Sequence, residues 1–412
     1  MKTSRILVLS LIHLLCGILV GILLLGLVYC IPVGRIEQNV RKSALNTIKI
    51  EGLYPELTHA ATSYLDNWTD SIMLAEASHP NGNSPFIDAM QVVRYVANEY
   101  PDQSLVSWAE TGEYSYESPY PQYWHGYLVL LKPLLTFMDY AGIRVLNGSC
   151  QVLMAVLISI TLWCRGKKQF IVPWLLSYAM LMPAALAKSL QFSSCYYVFS
   201  LAAVTLLCRK KESTPFLIFL WAGIMTAYFD FLTYPISTFG IPALFYLLLQ
   251  PKRYNKSLFR ELGLLFLVWA VGYGLMWGGK LLAGSLITGA DLIHEAEGHV
   301  GHWFDGERWF SVGYVFYFNV RDFVYTPVSF LAFGFVLYAF IKLFKERKLN
   351  AGSVSLCVPF VVISLLPFAW YLFLFNPSGI HHFFTNKACV VCAFGGMSMM
   401  AKLQEQSYTQ KI

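Results

Sequence analysis

Long apolar segments are the feature of this 412-residue chain that most restricts its fold. A helix needs roughly 20 apolar residues to cross a bilayer, and by this measure we interpret about ten segments as membrane spans. They lie near 6–30, 144–164, 169–187, 191–208, 214–233, 236–250, 259–284, 327–344, 354–376 and 386–401. Because hydrophobic residues make up 56% of the chain and charged residues only 13%, the sequence predicts an all-α polytopic membrane protein.

The charged residues between these segments predict an orientation. If the N-terminus is cytoplasmic, the inner links contain 18 of the 30 Lys and Arg residues but only 4 of the 24 Asp and Glu residues. Cytoplasmic links of membrane proteins are rich in Lys and Arg, so we expect both termini in the cytoplasm and the long acidic links outside. The first apolar run exceeds the length of a cleaved signal's apolar core and is interpreted as a retained span.

The link lengths predict five regions. These are a first span (1–33), an extracytoplasmic loop (34–143), a transmembrane bundle (144–284), a second extracytoplasmic loop (285–326) and C-terminal helices (327–412). Three short helices are expected in the first loop. One, over 34–50, lies in the membrane interface or caps the bundle; the second covers 88–100; the third, 125–140, lies on the membrane surface or re-enters it. The sequence shows no convincing internal repeat, which argues against many secondary transporters.

Two carboxylates in the first loop are candidate catalytic residues. Asp66 and Asp70 are four residues apart and therefore share one face of a helix. Neighbouring like charges raise a carboxyl pKa, as a general base requires, and two carboxylates can instead hold a divalent cation such as Mg or Mn. Either residue can equally serve as a helix cap.

Polar residues next to the membrane are candidates for binding. His381, His382 and Lys387 lie in a short outer turn and can hold an anion, although a lysine there can also extend its ammonium group to the interface. Trp124 and His125 stand where the first loop re-enters the membrane, and there they can line a pocket or pack at the interface.

Two further features concern polar residues elsewhere. Asp230, close to Tyr234, lies near the outer end of a span, where a buried charge often marks a site. The acidic and histidine-rich segment 294–308 matches no common zinc pattern and favours an acceptor-binding loop or solvated surface.

The nine cysteines lie in or beside spans, which argues against a disulfide framework.

These parts resemble the GT-C superfamily of integral membrane glycosyltransferases. The shared features are a first span, a long outer loop with acidic residues and basic or histidine residues in late outer turns. The segments TSYLDNWTDSIML, YWHGYL, FDFLTYP and NPSGIHHFFTNK also look like an uncharacterised bacterial membrane-protein group. The resemblance implies a bacterial plasma-membrane enzyme and a sugar donor carried on a polyprenyl phosphate. It further implies inverting transfer, outside the cytoplasm, to a glycan, lipid or protein acceptor.

Carried over to this chain, the resemblance implies that Asp66 or Asp70 is the general base. His381, His382 and Lys387 would hold the phosphate, and His125 would line the pocket. The acidic pair lies farther from the first span than in the best-known members, and an Asp-Glu dipeptide common in one branch is missing, which leaves the base undecided. No cofactor is certain, and membrane lipids are expected partners.

Other classes of protein remain open from the sequence. They are a transporter or flippase for a lipid-linked or envelope substrate, another outer-face transferase or ligase, and a scaffold or sensor without catalysis. Nucleic-acid binding is not suggested, because the positive charge is used for membrane topology. A transporter would place its essential residues at mid-membrane, whereas a glycosyltransferase would place a carboxylate in the first loop.

Overall fold

The structure is a computed structural model that describes residues 3–80, 82–209, 215–250, 256–304, 309–346 and 351–409. Helix makes up 79% of it, and strand is almost absent. The basic links at 210–211, 252–253 and 347–348, Lys411, and residues 305–308 of the second loop lie outside the described residues. The chain is an all-α polytopic membrane protein, as predicted.

The first helix and the connecting segment after it (residues 30–139) contain short helices and one hairpin of strands. The elements are α1 (Thr3–Tyr29), α2 (Val33–Ser43), a π-helical turn (Ala44–Ile48), α3 (Lys49–Glu51), a 3₁₀ turn (Ala61–Ser63), α4 (Asn67–Ser78), α5 (Pro85–Gln91), β1 (Val93–Val96), α6 (Pro101–Thr111), β2 (Tyr116–Pro119) and α7 (Leu128–Leu135). The strands pair antiparallel, with Val93 opposite Pro119.

The remainder of the described chain is a helical bundle. Its elements are α8 (Tyr140–Cys164), a 3₁₀ turn (Lys168–Phe170), α9 (Ile171–Met180), α10 (Pro183–Lys188), α11 (Leu190–Cys208), α12 (Phe216–Phe229), α13 (Ser237–Leu249), α14 (Lys256–Thr288), α15 (Leu292–Phe304), α16 (Val312–Val324), α17 (Pro327–Lys345), α18 (Ala351–Ser364), α19 (Leu366–Phe373), α20 (Phe375–Ile380), α21 (His382–Thr385), a 3₁₀ turn (Asn386–Cys389) and α22 (Val390–Thr409).

Six helical segments of the described chain are long and apolar enough to cross a membrane. They are Ile6–Tyr29, Tyr140–Cys164, Leu190–Cys208, Lys256–Thr288, Pro327–Lys345 and Ser355–Phe373. Helices α12 and α13 are apolar but shorter. Side chains such as Leu19 and Phe330 are exposed along these helices, as expected of lipid-facing surfaces.

One predicted span is interrupted. The sequence predicts a continuous helix over 169–187, but the structure divides it into α9 and α10. The break falls at Met182, which has a left-handed φ of 55°, and at Pro183, which begins α10. Proline has no backbone N–H to continue a helix, so hydropathy alone overstated the length of this segment.

The connecting segment packs onto the bundle. The apolar face of α2, including Ile36 and Val40, is buried against protein. Its cations also have protein partners: Arg41 donates to the carbonyl of Trp108 at 2.8 Å, and Lys42 pairs with Asp139 at 2.7 Å. These contacts agree with the predicted capping helix rather than with cations directed at lipid.

The helix predicted over 88–100 differs from the structure. Helix α5 ends at Gln91, where Val92 adopts a left-handed φ of 47°, and residues 93–96 form β1. The strand contains the β-branched residues Val93 and Val96, whose side chains fit a strand better than a helix. Helix α7 lies within the predicted 125–140 segment and leads into α8.

Two large apolar cores hold the described residues together. The larger joins α8–α13 to α16–α19 and α22, and the smaller joins α1, α12 and α14 to the connecting segment. A polar contact also joins the connecting segment to the bundle, since Arg144 of α8 pairs with Glu51 at 2.7 Å. These contacts hold the connecting segment against the bundle helices.

Candidate functional site

A cavity of about 590 Å³ lies between α4, the residues before α7, α14 and the connection from α20 to α21. Much of its wall is aromatic: Tyr54, Trp68, Tyr120, Tyr123, Phe231, Trp277, Trp309, Phe383 and Phe384. The polar side chains in the wall are Asp66, Thr69, Gln122, Gln191, Asn376, His381 and Thr385. Large apolar surfaces with a few polar groups are typical of a small-molecule site.

Asp66 is the carboxylate that lines this cavity. It is the N-cap of α4, and its Oδ1 accepts a hydrogen bond from the Thr69 amide at 3.1 Å while Oδ2 accepts from the Thr69 hydroxyl at 3.0 Å. Gln191, at the start of α11, donates its Nε2–H to Oδ2. The backbone amide of Asp66 in turn donates to the Ser189 hydroxyl at 2.9 Å. Groups on two distant segments therefore fix this side chain.

The surroundings of Asp66 suit a general base. Burial is the main cause that raises the pKa of its carboxyl to about 6, and hydrogen bonds from Thr69 oppose the rise. A base is most effective when its pKa lies near the working pH, because it is then both ionised and able to hold a proton. Asp66 thus combines access to the cavity with a pKa in the useful range.

Asp70 is four residues further along but occupies different surroundings. It is fully buried and does not line the cavity. Its Oδ2 accepts a hydrogen bond from the Tyr140 hydroxyl, and its Oδ1 accepts from the Leu190 amide at 3.0 Å. Burial raises the pKa of its carboxyl to about 8, whereas the charge of Arg144 acts in the opposite direction. Asp70 joins α4 to α8 and α11.

His381 is the member of the predicted anion clamp that faces the cavity. Its imidazole stacks on Phe384 with ring centroids 5.0 Å apart. Burial, followed by the neighbouring His382, lowers its pKa to about 4. The ring is therefore neutral at physiological pH and can offer one N–H to a bound group.

The other two members of the predicted clamp point elsewhere. His382 Nδ1 lies 2.5 Å from Asp322 Oδ2, and the Lys387 ammonium donates to the Thr62 carbonyl at 2.9 Å. Lys387 is fully buried, with its ammonium 4.6 Å from the Phe192 ring centroid. The structure thus does not bring His381, His382 and Lys387 together at the cavity. His382 instead contacts Asp322, and Lys387 donates to Thr62.

Trp124 and His125 lie behind the cavity wall. Trp124 is fully buried and donates to the Met276 carbonyl at 2.7 Å. His125 has a left-handed φ of 53°, and its Nε2 lies 2.6 Å from the carbonyl oxygen of Tyr120. Its Nδ1 lies 3.0 Å from the hydroxyl of Tyr127, which donates to Glu76. Their contacts support the wall, and His125 acts on it through Tyr120.

A second cavity of about 510 Å³ adjoins the first. Its wall is almost wholly apolar and includes Phe266, Ala270 and Tyr273 of α14 together with Leu366, Ala369, Trp370, Phe373 and Leu374. The two cavities share Tyr123, Leu232 and Trp277 as wall residues. The apolar cavity between two candidate membrane helices is therefore adjacent to the polar, aromatic one.

Asp230 and Tyr234 belong to the second cavity's surroundings. Asp230 lines that cavity and accepts hydrogen bonds from the Thr233 amide at 3.0 Å and the Thr233 hydroxyl. Tyr234 is fully buried, donates to the Phe192 carbonyl at 2.5 Å and lines neither cavity. Between them, Leu232 has a φ of 61°, a strained conformation for a non-glycine residue at the junction of the cavities.

Metal binding receives no support within the described residues, which contain no cluster of three or more His, Cys, Asp or Glu suited to a metal ion. Asp66 and Asp70 each accept hydrogen bonds from different protein donors. In the segment 294–308, His294 and Glu297 are exposed on α15, with His294 Nδ1 3.7 Å from Glu297 Oε2. The side chains of His299 and His302 lie outside the described residues.

Several wall residues were not singled out from the sequence. Gln191 is the most informative, because it touches Asp66 and lines the cavity. A polar residue at the beginning of the apolar segment 191–208 is the only signal that marks it. The aromatic residues Trp68, Trp277 and Trp309 gave no such signal, since aromatic residues are common throughout this chain and at membrane interfaces.

Comparison with known proteins identifies no relative. No family model, curated protein or solved structure matches this chain. Function is therefore argued from the two cavities and the residues that line them.

Proposed function

We propose that this protein is a GT-C-type membrane glycosyltransferase that moves a sugar from a polyprenyl-phosphate-linked donor to an acceptor hydroxyl. One observation supports this most: a cavity with a buried carboxylate and aromatic walls lies directly beside an apolar cavity between candidate membrane helices. A lipid-linked sugar has the same two parts, a sugar and an isoprenoid chain. Aromatic faces pack well against sugar rings, and apolar walls suit isoprenoid tails.

The proposed topology completes this arrangement. About ten spans, both termini in the cytoplasm and an extracytoplasmic first loop place Asp66 outside, on the side expected from the distribution of Lys and Arg. The donor's phosphate then lies at headgroup depth, at the junction that Tyr123, Leu232 and Trp277 form. The lipid chain occupies the apolar cavity and the sugar the aromatic one.

In the proposed reaction, the acceptor hydroxyl attacks the anomeric carbon of the sugar. Asp66 takes the hydroxyl proton as the new C–O bond forms. The bond between that carbon and the phosphate oxygen breaks on the opposite face, so the anomeric centre inverts and the electron pair leaves with the lipid phosphate. Neutral His381 donates an N–H to the departing oxygen. This hydrogen bond stabilises the negative charge that develops on that oxygen in the transition state.

Asp70 has a supporting part in this proposal. It holds Tyr140 and the start of α11, and Gln191 of α11 holds Asp66. We propose Asp66 as the base and Asp70 as a positioning residue, because only Asp66 lines the cavity.

The proposal is tested by mass spectrometry of envelope glycans and lipids from cells that lack the gene, compared with cells complemented by the wild type. A transferase predicts loss of one defined sugar from a glycan and accumulation of the matching lipid-linked sugar on the outer face. Loss of the sugar with accumulation only on the cytoplasmic face would indicate a flippase, and an unchanged profile would reject both.

A further inference from the structure

Arg94, in β1, lacks the partners that a guanidinium group usually has. Its Nε and Nη1 are buried and have no hydrogen-bond partner within the described part of the chain. No ion pair found among the described residues includes it. Its charge lies 5.7 Å from the Tyr120 ring centroid. Withdrawing such donors from water without a partner is costly, so a partner outside the chain is expected.

The guanidinium borders a small polar cavity of about 90 Å³ between α4, β1 and the start of α6. Ser71 of α4 also lines it, and its hydroxyl is fully buried without a hydrogen-bond partner in the described residues. Ser104 lines it too, but its hydroxyl is already engaged with the backbone of Asn98 at 2.7–2.8 Å. Three donor groups, Nε and Nη1 of Arg94 and the hydroxyl of Ser71, therefore remain for a ligand.

This small cavity is next to the proposed reaction cavity. Ile72 lines both cavities, and Tyr120, under the Arg94 guanidinium, lines the larger one. Ser71 and Ile72 follow directly after Asp70 on the helix that Asp66 caps. Ser71 therefore lies within about two helical turns of Asp66.

We propose that Arg94 and Ser71 bind an anionic substituent, a phosphate or a carboxylate, of the acceptor. This rests on the proposed function. The cavity volume admits one such group. A guanidinium and a hydroxyl both donate hydrogen bonds to anionic oxygens, and arginine is suited to phosphate and carboxylate by its planar fork. The proposal makes the acceptor an anionic glycan or a phosphate-bearing lipid rather than a neutral one.

Glu99 lines the same cavity and is exposed at its edge. Its carboxylate weakens anion binding there, which gives a matched control of opposite sign. Asp102, at the start of α6, does not line the cavity. Removing the charge of Arg94 must therefore weaken anion binding, and removing that of Glu99 must strengthen it.

The test is calorimetric titration of the full-length protein, in nanodiscs of zwitterionic lipid, with inorganic phosphate and with glucuronate. Saturable binding is expected in the wild type. Arg94→Gln should weaken it about tenfold or more, as expected for loss of a charged hydrogen bond. Ser71→Ala should weaken it less, and Glu99→Gln should strengthen it. No binding, or equal affinity in wild type and Arg94→Gln, would overturn the proposal.

Two further arms separate the possible sources and the two proposals. If anionic lipid in the nanodisc lowers the wild type's apparent phosphate affinity but not that of Arg94→Gln, a lipid headgroup occupies the site and the acceptor assignment fails. Asp66→Asn should bind phosphate as the wild type does. If it does so and also restores the missing sugar in cells, the glycosyltransferase proposal fails while the anion site stands. If Asp66→Asn fails to restore the sugar and Arg94→Gln leaves the apparent KM for acceptor unchanged, only the anion proposal fails.

Discussion

At the residue scale, two carboxylates four positions apart have different surroundings. Asp66 ends the extended chain and caps α4, so its side chain faces the cavity. Asp70 is one helical turn further on and faces α8 and α11. Both carboxylates are buried, but only Asp66 lines the cavity, and for this reason we propose Asp66 as the base.

The pKa of Asp66 predicts a pH profile. Because burial raises this pKa to about 6, the base is ionised above about pH 6 and protonated below it. We expect kcat/KM of the transfer reaction to fall about tenfold per pH unit below that value, since only the ionised carboxyl accepts the acceptor's proton. The measurement is kcat/KM against pH with purified protein and its lipid-linked donor. A rate that stays constant down to about pH 4 would contradict the assignment.

The raised pKa of Asp70 predicts how the stability of the protein changes with pH. Burial raises its pKa from 3.8 to about 8, so the folded protein holds a proton that the unfolded chain releases, and stability falls as the pH rises between these values. Asp70→Asn removes this titration. We expect the thermal stability of the variant to exceed that of the wild type more at about pH 8 than at about pH 5, as measured in detergent.

Asp70→Leu supplies the comparison. It leaves the Leu190 amide and the Tyr140 hydroxyl without their shared acceptor, and we expect a loss of about 1–3 kcal/mol in unfolding free energy. Equal stability of the asparagine and leucine variants would show that these hydrogen bonds contribute little.

Sequence reasoning identified Asp66 and Asp70 as a pair but could not separate them. The groups that distinguish them, Ser189, Leu190 and Gln191, lie over a hundred residues away and meet α4 only through packing. The same limit applies to His381 and His382, since Asp322 of α16 turns one of the two away from the cavity. Residue type and spacing named the candidates, and tertiary contacts selected among them.

At the element scale, close helix packing builds the wall of the apolar cavity. Helices α12 and α14 approach at Gly223, where an added Cβ would lie 2.2 Å from the Trp269 carbonyl oxygen, and at Gly272, where it would lie 2.7 Å from that of Leu220. Small residues let membrane helices approach to this distance. Trp269 also lines the apolar cavity, so the packing and the cavity depend on the same contact.

Gly223→Ala is therefore expected to destabilise the protein. The new methyl group meets backbone that cannot turn aside, and we expect a loss of about 1–3 kcal/mol. Gly263→Ala, on α14, is the matched control, because nothing lies within 4 Å of its added Cβ. The midpoint of thermal unfolding in detergent measures both. A similar midpoint for the two variants would contradict close packing at Gly223.

Hydropathy located the six helices that are long enough to cross a membrane, because their length and apolar character are local properties. It could not place the break at Met182 within 169–187, nor the change from helix to strand after Gln91. Both changes occur at a residue with a left-handed φ, which the apolar pattern does not indicate. Residues 125–140, where Pro133 interrupts the apolar pattern, were correctly expected to be a short helix leading into α8.

At the scale of the whole molecule, the two cavities meet at Tyr123, Leu232 and Trp277. No local pattern in the sequence indicated this junction, because its three residues come from three distant segments. Together the two adjacent cavities extend from the apolar interior between α14 and α19 to Asp66 in the connecting segment. The proposal of a lipid-linked donor rests on this adjacency.

Filling the apolar cavity tests whether it binds the lipid chain of the donor. Ala270 of α14 lines it, and Ala270→Trp would occupy part of the space proposed for the isoprenoid chain. We expect KM for the lipid-linked donor to rise about tenfold or more with kcat less affected, since binding rather than chemistry is lost. Leu267→Trp, at an exposed position on the same helix, is the control. Equal donor KM values for both variants would place the lipid elsewhere.

The most direct test of the central claim compares Asp66→Asn with Asp70→Asn in cells that lack the gene, with membrane expression matched. Asparagine retains the helix cap at position 66 but cannot act as a base. We predict that Asp70→Asn restores the missing envelope sugar, as detected by mass spectrometry, and that Asp66→Asn does not. Restoration by Asp66→Asn would contradict the claim that this carboxylate carries out the chemistry of the protein.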